Sequence, residues 1–219
     1  MSQRYGAWPA KVQRGVMALV LALALPAMMA HAAQPTPVRK VLVMGDSLSA
    51  AYGLTPEQGW VALTDARLKA RHPGWRVANA SISGETTAGG ASRISGELAR
   101  HKPAVVVIEL GANDGLRGLP LAQTRANLER MIVASKQAGA RVLLVGMRMP
   151  PNFGTQYTQG FERNYSDLAK LHGTALLPFL LEPIATQRSA FQSDNLHPVA
   201  EAQPKLRDHV WPALVPLLR

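Results

Sequence analysis

Ser47 stands in the string Gly45-Asp46-Ser47-Leu48-Ser49, directly after an aliphatic run that reads as a β-strand. A hydroxyl placed there, behind a glycine that permits a sharp strand-to-helix turn, can project from the end of a sheet as a nucleophile. The commoner fate of an isolated serine is to cap a helix or satisfy a turn. The segment is not a G-x-S-x-G elbow, because Ser49 occupies the place of the second glycine. Far along the chain, Ser193-Asp194-Asn195-Leu196-His197-Pro198 sets an imidazole three residues after a carboxylate. That pair makes a serine hydroxyl nucleophilic near neutral pH. Of the six histidines, only His197 combines this spacing with a following proline. A D-x-x-H metal site and an exposed loop ion pair are the alternatives. No second histidine or acid cluster stands nearby to complete a ligand set, so no metal is expected.

Two further segments offer hydrogen-bond donors. In Ser81-Ile82-Ser83-Gly84-Glu85-Thr86-Thr87, Gly84 lets a backbone N–H approach a ligand closely, and Thr86 or Thr87 can cap the following helix. A phosphate-binding loop competes with this reading, but the lysine of a P-loop and the G-x-G-x-x-G pattern are both missing. In Gly111-Ala112-Asn113-Asp114-Gly115 the Asn113 amide can donate toward a ligand, or belong to a plain Asn-Asp-Gly turn.

Chemistry spread over such distant segments needs a scaffold that sets strand ends side by side. The runs 38–44, 75–80, 104–110, 141–147 and 174–179 read as strands. Three are almost continuously aliphatic, as strands covered on both faces are. Helical patterns fall between them at 60–71, about 88–102, 121–138 and about 159–172, with a last helix at about 199–218 interrupted by Pro212 and Pro216. Strands alternating with helices predict an α/β fold of three α/β/α layers, with a five-stranded parallel sheet. Ligands bind beyond the carboxyl ends of such strands. The four segments lie there or in the last loop.

Taken in order, Ser47, Gly84, Asn113 and the Asp194/His197 pair resemble the blocks of the SGNH (GDSL) hydrolase superfamily. Within it the chain is similar to the bacterial group of multifunctional acyl-CoA thioesterases, lysophospholipases and arylesterases. The strings that carry this resemblance are VMGDSLSAAYG, NASISGETTAGG, ELGANDGLRG, RMPPNFG and DNLHP, and they span the chain after its first thirty or so residues. Asn195 departs from the glycine that many relatives carry there, although asparagine also tolerates left-handed backbone. The resemblance implies a flavodoxin-like sheet and a serine hydrolase cleaving ester and thioester bonds through an acyl-enzyme. Ser47 would be the nucleophile, His197 the general base and Asp194 its orienting acid. The N–H groups of Ser47 and Gly84, with the Asn113 amide, would form an oxyanion hole. No cofactor is implied. The expected partner is a small acyl ester, thioester or lysophospholipid, with a monomeric enzyme. Leu116, Leu119 and Pro120 after Asn113, and Met149 and Phe153 after the fourth strand, are candidates to line an acyl site, or are ordinary loop packing. The alternatives are a deacetylase of carbohydrates or other small esters with the same triad, and a non-catalytic flavodoxin-like binding module.

Composition narrows the remaining possibilities. With 47% hydrophobic residues, 17% charged residues and mean hydropathy near zero, the 219 residues suit one folded domain and exclude disorder or coiled coil. Cysteine is absent, which removes disulfides, thiolate metal sites and a thiol nucleophile. A net charge of +10 suggests an acidic partner, but the arginines are scattered singly, so no nucleic-acid surface is expected. Residues 1–32 hold Arg4, Lys11 and Arg14, then the uncharged stretch Gly15–Ala30, then Ala30-His31-Ala32 as a cleavage pattern. At 16 residues with Pro26 inside it, the apolar run falls short of the ~20 that a membrane span needs. A cleaved signal peptide at 1–32, a single domain at 33–219 and a periplasmic or secreted location without stable membrane insertion are therefore expected. An uncleaved anchor is the alternative.

Overall fold

The aliphatic runs become the strands of one sheet. The computed structural model describes Met1 and residues 38–219, the latter within one compact unit. The expected signal peptide lies outside the described residues. Strands β1 (Arg39–Gly45), β2 (Trp75–Asn79), β3 (Val105–Glu109), β4 (Arg141–Val145) and β5 (Ala175–Leu177) are all parallel, in the order β2-β1-β3-β4-β5. Val105 to Glu109 are all buried, as covering on both faces demands. Helices α1 (Trp60–Arg71), α2 (Thr87–His101), α4 (Leu121–Gln137) and α5 (Thr155–His172) lie in the four crossovers, and α6 (Gln203–Leu214) follows β5. The right-handed rule and the helix contacts put α2, α4 and α5 on one face and α1 with α6 on the other. The three-layer, flavodoxin-like expectation holds.

Three local differences from the sequence expectations have physical causes. A one-turn helix, α3 (Ala112–Leu116), forms where a turn or loop is expected, and it contains both Asn113 and Asp114. The final helical stretch divides into a 3-10 turn at Ala200–Ala202, α6, and another 3-10 turn at Val215–Leu217. Pro216 has no N–H to continue the α-helical ladder there. After β1 the chain enters consecutive turns over 47–53 rather than a helix.

At the carboxyl edge of the sheet, α2 and α4 converge on one buried acid. Asp114 accepts from the Thr87 N–H at 2.8 Å, from the Thr87 hydroxyl, and from Thr124 Oγ1 at 3.3 Å. Asn127 Nδ2 donates to Thr87 Oγ1 at 3.2 Å. A carboxylate thus meets the first turn of α2, where backbone N–H groups lack helical partners and the helix dipole favours negative charge. Because β1 and β3 are neighbours whose following segments leave toward opposite faces, the crevice between their ends is the natural ligand site. Asp114 fastens one wall of it. Asp114→Ala would strand the Thr87 N–H and remove the acceptor of the Thr87 hydroxyl and the shorter of two acceptors of the Thr124 hydroxyl, at a cost of roughly 3 kcal/mol. For a chain of this size the melting temperature should then fall by about 6–12 °C. Calorimetry showing a change of less than a degree would contradict this clamp.

Candidate active site

The crevice is built from the turn after β1 upward. Gly45 is required by close approach: a Cβ there would sit 2.6 Å from the Ser49 Cβ and 2.9 Å from Glu109 Oε2. This corrects the expectation of a glycine needed for a strand-to-helix turn. Asp46 Oδ1 accepts from the Leu48 N–H at 3.0 Å, and Asn79 Nδ2 donates to the Ser49 carbonyl at 2.9 Å, so the Ser47 turn is held from both sides. Gly84 has φ of +80° with open space around it, so conformation selects glycine there. Thr86 caps α2 by accepting from the Gly89 N–H.

His197 arrives from the far end of the chain. A bridge between Phe191 and Pro198 closes its loop, and the Gln192 N–H donates to the His197 carbonyl at 2.8 Å. Gln192 Nε2 donates to the Tyr52 carbonyl at 2.9 Å, tying this loop to the Ser47 turn. Asn195 adopts left-handed backbone, φ +61°. Asp194 Oδ1 accepts from the N–H groups of Leu196 and His197, and its Oδ2 lies 2.7 Å from His197 Nδ1. His197 Nε2 lies 2.8 Å from Ser47 Oγ. The side-chain hydrogen bond from His197, then the two backbone donors, lower the Asp194 pKa to about 2. Asp194 is thus a charged acceptor at neutral pH.

Ser47, Gly84, Asn113 and His197 all face one cleft of about 600 Å³. Among the described residues, the backbone N–H groups of Ser47 and Gly84 donate to no other protein atom. Asn113 Nδ2 donates to the Glu85 carbonyl at 3.0 Å and, at a longer 3.3 Å, to Asp46 Oδ2. The cleft walls are largely apolar: Leu116 and Met149 line them, with Met147, Phe179, Leu181 and Phe191. Leu119, Pro120 and Phe153 do not line the cleft. The Leu119 carbonyl is taken by Tyr157 Oη at 2.9 Å, and the Phe153 ring stacks on Tyr157. Gly115 is buried against Met149. Among the described residues, no group of three or more His, Asp or Glu side chains could hold a metal.

Sequence reasoning missed Tyr52, whose ring lies 4.4 Å from that of His197, tilted by 37°. It also missed two buried acids beneath Ser47. Burial, partly offset by the hydrogen bond from the Leu48 N–H, raises Asp46 to about 6. Burial, reinforced by Asp46, pushes Glu109 well above the usual carboxylate range, against the hydrogen bond from Ser49 Oγ at 2.6 Å. The signal for Glu109 was present: it is the one acid in an otherwise aliphatic strand.

An α/β sheet with a Ser–His–Asp chain at its carboxyl edge defines a class of hydrolases. The chain belongs to the GDSL-like Lipase/Acylhydrolase family, which it matches over residues 43–203. It is 49% identical to "Esterase TesA" of Pseudomonas aeruginosa over 185 residues, which cover 84% of this chain and 92% of that one. It is 38% identical to "Thioesterase 1/protease 1/lysophospholipase L1" of Escherichia coli over 178 residues, covering 81% and 84%. A crystal structure of the psychrotrophic esterase EstA from Pseudoalteromonas sp., inhibited by monoethylphosphonate, superposes with a TM-score of 0.79 at 38% identity, covering 82% and 98%.

Glu109 has a testable cost. Its folded-state pKa is raised above its unfolded value, so its contribution is favourable while it stays protonated in both states. It is lost as pH climbs through the folded pKa. Glu109→Gln removes the titration and keeps an acceptor for Ser49. The melting temperature of the variant should exceed wild type at pH 8 and converge with it at pH 4. An equal offset at both pH values would mean that Glu109 carries no titration cost.

Proposed function

We propose that this chain is a serine esterase and thioesterase working through an acyl-enzyme. The observation that carries the reading is the unbroken chain from Ser47 Oγ through His197 to Asp194, in a cleft that Gly84 and Asn113 also line. Ser47 Oγ attacks the carbonyl carbon as its proton passes to His197 Nε2. The oxyanion is held by the N–H groups of Ser47 and Gly84 and by Asn113 Nδ2, whose longer contact, to Asp46, is the one to yield. One such donor typically supplies ~3 kcal/mol of transition-state stabilisation. The intermediate collapses with cleavage of the C–O or C–S bond, and His197 gives its proton to the departing alcohol or thiol. Water, deprotonated by His197, then attacks the acyl-enzyme and releases the acid and Ser47. Asp194 stays ionised and stabilises the imidazolium throughout.

The apolar walls support an acyl chain over an acetylated sugar as occupant. Every group in this scheme comes from one chain, which supports a monomer. The basic region and the Ala30-His31-Ala32 pattern support export, with cleavage after Ala32 and action in the periplasm or outside the cell. Among the described residues no helix is long and apolar enough to cross a membrane.

Ser47→Ala should fold as wild type, lose labelling by a fluorophosphonate probe, and retain under about 1% of p-nitrophenyl butyrate hydrolysis, as loss of a nucleophile implies. Normal labelling of the variant, read by mass spectrometry, would remove Ser47 from this role.

The cleft also separates two leucines. Leu116→Ala should lower kcat/KM on long acyl chains by about tenfold, since each buried CH₂ contributes ~0.8 kcal/mol, and spare acetyl esters. Leu119→Ala should show no such chain-length trend. A p-nitrophenyl ester series from two to sixteen carbons reads both, and losses independent of chain length at Leu116 would move the acyl site elsewhere.

A further inference from the structure

Within residues 38–219, six large apolar side chains are markedly exposed: Val38, Tyr52, Ile82, Leu116, Leu171 and Leu196. Scattered singly, they would need no explanation. They are not scattered. Tyr52, Leu116 and Leu196 line the cleft, and Ile82 belongs to the segment whose Ser83 and Gly84 line it. Ile82 is 51% and Leu196 45% exposed, so both offer apolar surface to solvent at the opening. Val38, before β1, and Leu171, in the last turn of α5 ahead of β5, lie at the opposite end of the sheet.

Two guanidinium groups flank the same opening. Arg117 donates to the Gly84 carbonyl at 3.1 Å, and Arg188 donates to the carbonyls of Phe191 and Gln192 at 3.0 and 3.1 Å. Each is anchored to a loop of the cleft through backbone oxygen, and neither lies within salt-bridge distance of a carboxylate among the described residues. The acid at the mouth, Asp194, is engaged by His197, and Arg148 on the wall pairs with Glu162. Beyond residue 37 the chain holds 21 basic and 14 acidic side chains.

We propose that this rim docks reversibly on an anionic lipid–water interface, with Ile82, Leu196, Leu116 and Tyr52 entering the headgroup boundary and Arg117 and Arg188 meeting lipid phosphates. Apolar side chains ringed by cations are the combination such an interface selects. A second copy of the chain fits worse, because it would bring the same cations against one another. The area is small, so docking is transient and leaves the protein soluble between encounters. Docking would present the cleft to acyl chains at the surface. The proposal rests on the acyl-hydrolase reading for its benefit, though not for the binding itself.

The test uses residues 33–219, which contain the whole compact unit, with Ser47→Ala present so that lipid is not consumed. Co-sedimentation with vesicles of phosphatidylglycerol and phosphatidylcholine in equal parts should exceed that with phosphatidylcholine alone. Ile82→Ser and Arg117→Gln should each lower binding at least fivefold, and Leu171→Ser should bind as the parent. In the Ser47 background, Ile82→Ser should hydrolyse p-nitrophenyl acetate at the wild-type rate. Absence of binding to the anionic vesicles, equal binding to both vesicle types, equal binding by Ile82→Ser, or self-association without lipid binding would each overturn the proposal. Failure of the catalytic reading would show separately, as absent p-nitrophenyl acetate hydrolysis in the Ser47 protein.

Discussion

A hydrogen bond of 2.8 Å between His197 and Ser47 joins residues 150 positions apart, and much of the architecture serves to make that contact. Ser47 is held by the β1 end and Asn79. His197 is held by a loop with little regular structure of its own. Gln192 therefore matters as much as either: its side-chain amide reaches the Tyr52 carbonyl, and its backbone N–H closes the loop on His197. A second strut, from Gln203 Oε1 to the Trp60 N–H at 2.9 Å, ties the start of α6 to the start of α1. The loop is thus fixed at one end to the turn that bears Ser47 and at the other to α1.

The electrostatics beneath this contact pull in two directions. Asp194, half in solvent, is stabilised as an anion by the groups that it orients. Asp46 and Glu109, buried between β1 and β3, are disfavoured as anions by the same fold. A carboxyl raised to about 6 in place of 3.8 represents about 3 kcal/mol against ionisation. Such groups are functional-site signatures because stability alone would replace them by apolar residues. Here Asp46 accepts from Asn113, and Glu109 accepts from Ser49, so the cost holds the floor of the cleft in one arrangement.

Most of the fold was legible in the sequence because its strands are buried on both faces and its helices are bounded by clear signals. Gly139 and Gly173 follow α4 and α5, and Thr86 precedes α2. The short helix α3 was not legible, since Gly111-Ala112-Asn113-Asp114-Gly115 is turn chemistry by composition and becomes helical through Asp114 and its tertiary partners. The four polar blocks could be ordered along the chain from residue types alone. Their meeting at the carboxyl edge of the sheet followed from the strand pattern, but the division of the apolar loops into residues that face the cleft and those that do not could not be read. Leu119 and Phe153 look as suitable as Leu116 and Met149 until Tyr157 is seen to occupy the first pair. Tyr52 carries no local signal, because its role depends on a loop almost 150 residues later.

That separation also sets the order in which the molecule can come into being. A ribosome delivers Ser47 and the Gly84 loop early, then Asn113, and only near the end the loop that bears His197, followed by α6, whose Gln203 braces that loop's exit. Domains fold as units during and after synthesis. Until that loop is in place, Ser47 Oγ lacks its hydrogen-bond partner, His197 Nε2. A nascent or clipped chain lacking the segment after residue 190 would lose one wall of the cleft with Phe191, Leu196 and His197, and the α6 side chains Leu206, Val210 and Leu214 that cover one face of the sheet. Timing is built into the connectivity: the contact that unites the two ends of the cleft is the last to be synthesised.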